Sequence, residues 1–174
     1  MRSNTQLIVL TILFALQTSV FASDNSEEQF RMARSAKIKP QQIESLINSP
    51  FVDVREALAQ NRRVKAAALF RLASDPSERV RIAVATNLST DTHTFNKLAL
   101  DSNQSVKSVV ARFEYVPAEV LDVLAGDKSA EIRVEVARNL NTLAPTLKKL
   151  LKDSDPDVKA IAAQALQRLN TENP

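Results

Sequence analysis

Val54-Arg55, Val80-Arg81, Val106-Lys107, Ile132-Arg133 and Val158-Lys159 fall 26 residues apart at every step, and Leu72, Leu98, Leu124 and Leu150 keep the same interval. A unit this short cannot enclose a core of its own, so the chain must bury its apolar positions between stacked copies. Two sets of columns do this. Val54, Leu58 and Ala59 lie on one face of a first helix. Leu69, Leu72 and Ala73 recur as Phe95, Leu98 and Ala99, as Leu121, Leu124 and Ala125, and as Leu147, Leu150 and Leu151, giving a shorter second helix. The period predicts an all-α chain, a right-handed α-solenoid of 26-residue two-helix repeats. At the usual 8 to 10 Å between packed helices, four and a half such units make a slab roughly 40 to 50 Å long.

Ahead of the repeats, Arg2 is followed by an apolar run from Leu7 to Leu16 broken only by Thr11, and then by Val20-Phe21-Ala22. The run is about half of the ~20 residues that a spanning helix requires, so residues 1–22 are predicted to be a cleaved secretory signal peptide. No cysteine follows it, which excludes attachment as a bacterial lipoprotein. The expected mature chain starts at Ser23, keeps no membrane span and is periplasmic or secreted. Residues 23–28 read as a polar lead-in, 29–170 as the helical repeat domain and 171–174 as a C-terminal tail. Ser26 and Gln29 have capping-box spacing for a helix through Phe30, Met32 and Ala33. Glu28 stands where later units have valine or isoleucine, which suits an end unit with one wet face. Pro40 opens the second helix of that unit, through Ile43, Leu46 and Ile47.

The residue inventory argues against catalysis. There is no cysteine, so disulfides, thiolate chemistry and cysteine metal sites are excluded, and Gly126 is the single glycine, so no glycine-rich loop cradles a phosphate. His93 is the single histidine and reads as exposed and inert, with a ligand contact as the alternative. The carboxylate pairs Glu27-Glu28 and Asp153-Asp155 fall in lead-in and capping contexts. No catalytic residue, cofactor or metal is expected. Of the 23 basic residues only Arg2 lies in the leader, leaving 22 against 20 acidic ones, a net of +2 with the two signs interleaved. Such a balance favours solubility without pointing to a polyanionic partner.

Asp75, Asp101, Asp127 and Asp153 each stand six residues before Arg81, Lys107, Arg133 and Lys159. The basic column could be a stripe for an anionic partner. Because acid and base recur together, a structural ladder is favoured, each cation reaching the aspartate of its own or the adjoining unit. Asp75-Pro76 is predicted to be an N-cap followed by proline at the first helical position. Asn61, Asn87 and Asn139 are predicted to close the first helices in the left-handed conformation.

The pattern Val-Arg-x-x-Val-Ala-x-Asn, a Thr-containing turn and then Leu-x-x-Leu-Ala-x-Asp is clearest from Val80 to Asp101 and, with Ile132 opening it, on to Asp153. It resembles the bacterial leucine-rich repeat variant family, and Asp153 to Leu166 is similar to HEAT-like repeats. The resemblance covers about residues 30 to 169 and implies a two-helix solenoid that serves as a binding scaffold. The cysteine-bound iron–sulfur cluster of the leucine-rich repeat variant architecture cannot be carried over to a chain without cysteine.

The favoured function is an exported, non-catalytic scaffold that holds another protein or peptide. Nucleic-acid binding through the second-helix column Arg71, Lys97 and Lys149 is the alternative, but Val123 interrupts that row and export counts against the target. A structural subunit of an envelope assembly is a third reading. The repeat breaks its own rule at Arg112-Phe113-Glu114-Tyr115. There Phe113 replaces the asparagine, and Glu114 the leucine seen at Leu88, Leu140 and Leu166. Phe113 is expected to turn inward into the space vacated by leucine, leaving Tyr115 on the rim. With Arg112 on its own turn and Arg62, Arg63 and Arg138 on neighbouring ones, Tyr115 has the composition of an interface hot spot. These five residues are the candidate partner contacts, and the second-helix face around Phe70 and Arg71 is the next.

Overall fold

The computed structural model describes residues 25–172, so the expected signal peptide lies outside the described residues. Helices come in pairs. α1 (25–33) and α2 (Pro40–Ile47) form the first, followed by α3 (Val52–Gln60) with α4 (Ala66–Leu72) and α5 (Glu78–Ala85) with α6 (Thr92–Ala99). Next come α7 (Gln104–Arg112) with α8 (Ala118–Leu124) and α9 (Ala130–Arg138) with α10 (Ala144–Leu150), before α11 (Pro156–Glu172) closes the stack. First helices pack on first helices and second on second, making a two-layer solenoid. None of the described helices is long and apolar enough to cross a membrane.

The periodic columns are the core. Val54, Val80, Val106, Ile132 and Val158 are buried, as are Leu58, Val84, Val110 and Val136 four residues on, and Leu69, Phe95, Leu121 and Leu147 in the second helices. Truncating a buried leucine such as Leu58 to alanine would cost roughly 2 to 5 kcal/mol. Where leucine stands in the alanine column at the last pair, Leu151 is left 39% exposed, while Ala73, Ala99 and Ala125 are covered.

The acid–base recurrence is a ladder across unit boundaries. Arg81 Nε and Nη2 donate to the Asp101 carboxylate at 2.7 and 3.1 Å, while its Nη1 donates to the Asp75 carbonyl of its own unit at 2.8 Å. Lys107 reaches Asp127 at 2.5 Å, and Arg133 reaches Asp153. The first rung is Arg55, 9% exposed, bound to Asp75 through Nε at 2.6 Å and to the Ser49 carbonyl through Nη1 at 2.7 Å. Lys159, in the last unit, is exposed and makes no ion pair among the described residues.

The aspartates do not cap helices as the Asp75-Pro76 pattern predicts. Each accepts a bond at Oδ1 from the backbone two residues on: Ser77 for Asp75, Asn103 for Asp101, Ser129 for Asp127 and Asp155 for Asp153. That bond tightens the turn, and the N-cap position falls to Ser77, Asn103 and Ser129. Asn103 caps with its side chain, accepting from Ser105 and Val106.

The asparagines are not left-handed either, because every described non-glycine residue has negative φ, and Asn61 and Asn139 are extended. Their role is a second ladder. Asn61 Nδ2 donates to the carbonyls of Ala33 and Ser35 at 2.7 and 3.0 Å, Asn87 to Ala59 and Asn61, and Asn139 to Ala111 and Phe113. The Oδ1 of each accepts from the backbone two residues on, which ends the helix in a tight turn. The first helices are thus stapled near both ends.

At the chain's ends this grammar relaxes. Asn25 and Ser26 already lie within α1, and Gln29 donates to Asn25 and accepts from Ser49 Oγ at 2.6 Å, joining α1 to the next unit in place of a capping box at Ser26. At the far end Ala165 stands in the asparagine column, so nothing stops the helix, and α11 runs on through Glu172.

Candidate partner-binding site along the helix-to-helix turns

The asparagine ladder sets the turns that join first to second helices along one edge, with a break between the third and fourth turns, where Phe113 stands in the asparagine column. Further bonds tie turn to turn. Ser89 Oγ donates to the Arg62 carbonyl at 3.3 Å, and Asn141 Nδ2 donates to the Glu114 and Val116 carbonyls at 2.7 and 3.1 Å. Within the turns, Thr90 and Thr142 return their hydroxyls to the Val84 and Val136 carbonyls. The backbone of the edge is therefore well bonded, which leaves side chains at its crest to face solvent.

Several of those side chains are large and apolar. Leu140 is 73% exposed, Tyr115 61%, Leu143 58% and Leu88 50%. The exposure of Leu88 and Leu140 corrects one expectation, since the leucine column vacates no buried space for Phe113 to fill. Phe113 instead lies half-buried at the edge of the core. Its ring is 5.9 Å from that of Phe95 beneath it, and Tyr115 meets it edge-on at 5.7 Å. Phe113 is the shelf on which Tyr115 stands.

Beside Tyr115 lies a groove of about 760 Å³ running from the turn after α7 to the turn after α9, with Pro117, Leu140, Leu143 and Leu169 in its walls. Leu169 reaches it because α11 overruns the asparagine column. Of the arginines grouped with Tyr115 from the sequence, none lines this groove. Arg112 lines the crease between α7 and α9 beside Glu131. Arg138 bonds to Glu135 at 3.4 Å, in the crease between α9 and α11. Arg62 and Arg63 are exposed on the same edge as Tyr115, two units away. The aromatic anchor thus has leucines, and not arginines, as its immediate neighbours. Recurrence of leucine at 88 and 140 was a signal for this, masked because a repeating leucine reads as core.

The second-helix row is largely engaged. Arg71 pairs with Glu44 at 2.6 Å, and Lys97 lies 4.2 Å from the Phe70 ring centre while donating to the Phe70 carbonyl. Only Lys149 of that row is without a recorded partner among the described residues. His93 is exposed and stacks on Phe70 with centroids 4.6 Å apart. Asp91 caps α6 by accepting from the Thr94 N–H at 2.8 Å, and the contacts of Thr94 hold its carboxyl below the usual range.

A HEAT repeat family model matches residues 143–171, which hold α10 and most of α11. The chain is also similar to a solved structure described as a leucine-rich repeat variant with a novel repetitive protein structural motif. The two share 22% identity at a TM-score of 0.59, over 74% of this chain and 52% of that one. The chain therefore spans about half the length of that structure, and the likeness is one of fold. No curated protein matches the sequence.

Proposed function

We propose that this helical-repeat protein, which shares the solenoid fold of the leucine-rich repeat variant, is an exported, non-catalytic scaffold that holds another protein or peptide along its turn edge. The observation that carries this reading is the groove beside Tyr115. The fold buries its periodic columns almost completely, yet four of the seven exposed large apolar side chains among the described residues, Leu88, Tyr115, Leu140 and Leu143, stand on this one edge. An exposed apolar cluster rimmed by polar residues is characteristic of interaction sites. A well-bonded backbone beneath it offers a pre-formed surface, so little ordering cost attends binding.

Export is supported by the leader pattern of Arg2, Leu7 to Leu16 and Val20-Phe21-Ala22, and it directs the search for a partner to the envelope or medium. Protein isolated from there is expected to begin at Ser23, and an intact mass that includes Met1 to Ala22 contradicts the reading.

The test of the site is affinity capture from the native envelope, followed by comparison with Tyr115→Ala. The variant is expected to keep its helicity and melting temperature while losing more than about 1 kcal/mol of binding, as truncation of an aromatic hot spot does. A captured partner that binds the variant as tightly as the parent moves the site to the face around Phe70 and Arg71.

A further inference from the structure

The turn edge is not uniform along its length. The turns of the first two pairs carry Arg34, Lys37, Lys39, Arg62, Arg63 and Lys65, all exposed. No aspartate or glutamate stands between positions 34 and 39 or between 61 and 65. None of the six cations makes an ion pair among the described residues, and Arg34 alone has a recorded side-chain contact, with its guanidinium 5.6 Å from the Phe30 ring centre. The bonds from Asn61 to the Ala33 and Ser35 carbonyls hold the two turns side by side, so the cations form one patch. Some exposed cations elsewhere are paired: Arg71 meets Glu44, Arg79 meets Asp53 and Glu56, and Arg138 meets Glu135. Others, such as Lys149 and Lys159, make no ion pair among the described residues, so what sets these six apart is their clustering on two adjoining turns with no carboxylate among them. Farther along the edge the character changes, through Leu88 and Glu114 to the apolar groove of Tyr115, Leu140 and Leu143.

We propose that the turn edge binds a polypeptide segment of two-part chemistry, with a run of aspartate or glutamate over the six cations and two or three large apolar side chains in the groove beside Tyr115. This rests on the reading of the turn edge as the partner surface. Six like charges on adjacent turns repel one another, and an acidic segment relieves that repulsion while steering the encounter. The groove then supplies the desolvated anchor that charge on a rim cannot. The two parts have a defined separation. From the second turn to the groove is between two and three units, roughly 20 to 25 Å at the usual helix spacing. An extended chain rises about 3.3 Å per residue, so about six to eight residues separate the acidic run from the apolar anchors. An anionic lipid surface would also meet the cations, but Glu114, exposed on the same edge and lining the groove, would repel it beside the leucines.

Panning a random peptide library against the purified protein tests this. The expected result is enrichment of sequences with an acidic block separated by about six to eight residues from two or three of Leu, Ile, Phe or Trp. Binding of an enriched peptide is expected to weaken steeply as salt screens the patch. It should fall at least about tenfold in a variant carrying Arg62→Glu, Arg63→Glu and Lys65→Glu, and by a similar factor with Leu140→Ser and Leu143→Ser. Circular dichroism of both variants should match the parent, since every substituted side chain is exposed. If no peptide is enriched, or the enriched peptides lack the acidic block, the two-part chemistry is wrong. Peptides that need Tyr115 but tolerate the charge reversal overturn this proposal and leave the turn-edge reading standing. Peptides indifferent to both sets of residues overturn the two together. Binding to phosphatidylglycerol-containing vesicles that the charge reversal abolishes, with no peptide enriched, assigns the patch to a membrane and overturns the proposal as well.

Discussion

Arg133 and Asp153 meet through two parallel bonds across a unit boundary, Nε to Oδ2 at 2.7 Å and Nη2 to Oδ1 at 2.8 Å. The same guanidinium gives Nη1 to the Asp127 carbonyl of its own unit at 2.8 Å, so one side chain closes on both sides of the joint. Arg81 repeats the arrangement between Asp75 and Asp101. Lys107 does not, having a single recorded contact, to Asp127. A guanidinium fork matches a carboxylate with two bonds where an ammonium offers a point charge. The ladder therefore has one weaker rung, between α7 and α9.

Replacing that lysine is expected to stabilise the protein. Lys107→Arg gains a second bond to Asp127 and one to the Asp101 carbonyl, each worth about 0.5 to 1.5 kcal/mol net. Arg81→Lys should lose a similar amount. Asp101→Ala is the severe case, costing about 3 kcal/mol because the largely buried Arg81 is left without its carboxylate. Urea denaturation followed by circular dichroism measures all three, and an unchanged midpoint in Lys107→Arg would mean that geometry in the rung is immaterial.

The ladder also sets the response to acid. The hydrogen bond from Arg133 is the main reason that the Asp153 carboxyl is held below the usual range, with burial opposing it and the Asp155 N–H and the charges of Arg133 and Lys159 assisting. For Asp127 the largest single influence is burial, which raises the value, but the bond from Lys107, the Ser129 N–H and the charges of Lys107 and Arg133 outweigh it, and the carboxyl is again lowered. A carboxylate lowered by folding contributes stability that is complete above its unfolded pKa, about 3.9, and is lost as the pH falls through the lower folded value. The urea midpoint is thus expected to be level from neutral to mildly acid pH and to drop below about pH 4. Asp127→Asn with Asp153→Asn should lower the plateau and flatten the drop. An acid limb of the same slope in that variant would place the responsible carboxylates elsewhere.

The helix columns and the acid–base pairing were legible because each is a local rule repeated many times, so Val54, Leu58 and Leu69 could be read from spacing alone. Direction was not legible. Arg55 was absent from the expected ladder because Ser49, and not an aspartate, stands six residues before it, yet its partner Asp75 lies 20 residues ahead, as for every other rung. For the asparagines, recurrence at 26 residues is equally consistent with a left-handed cap inside each unit and with a bond to the unit before, and only packing separates the two. The cation patch was hidden by an average. Lys37 and Lys39 recur as Arg63 and Lys65, but a net charge near zero over the whole chain conceals a segregation confined to two turns.

The asparagine ladder makes its own prediction at Asn87, which is 4% exposed and gives Nδ2 to the Ala59 carbonyl at 2.6 Å. Asn87→Asp preserves the shape and the acceptor for Ser89 N–H but removes the donor and turns an oxygen toward two carbonyls. Leaving buried acceptors unmatched costs about 1 to 3 kcal/mol, with more when the new group is ionised. The penalty should therefore grow as the pH is raised through the carboxyl's titration, the reverse of the ladder aspartates. Equal stability of Asn87→Asp and parent at every pH would show that the donor contributes nothing.

Phe113 is the place where that ladder is interrupted, and restoring the repeat there separates stability from binding. In Phe113→Asn the new Nδ2 would face the carbonyls of Ala85 and Asn87, the positions 28 and 26 residues back that the other three asparagines use. The variant gains about 0.5 to 1.5 kcal/mol per hydrogen bond made. It loses the contacts of Phe113 with Phe95 and Tyr115, each aromatic pair worth a comparable amount beyond its burial. Because the half-buried ring also loses its burial against the core, the melting temperature is expected to fall modestly. Tyr115, deprived of its shelf, loses the fixed geometry that makes a rigid aromatic an inexpensive anchor. Affinity for a captured partner should fall toward that of Tyr115→Ala, while the double variant falls no further than Tyr115→Ala alone. If Phe113→Asn binds as the parent does, the tyrosine holds its position without the phenylalanine, and the break in the repeat serves packing alone.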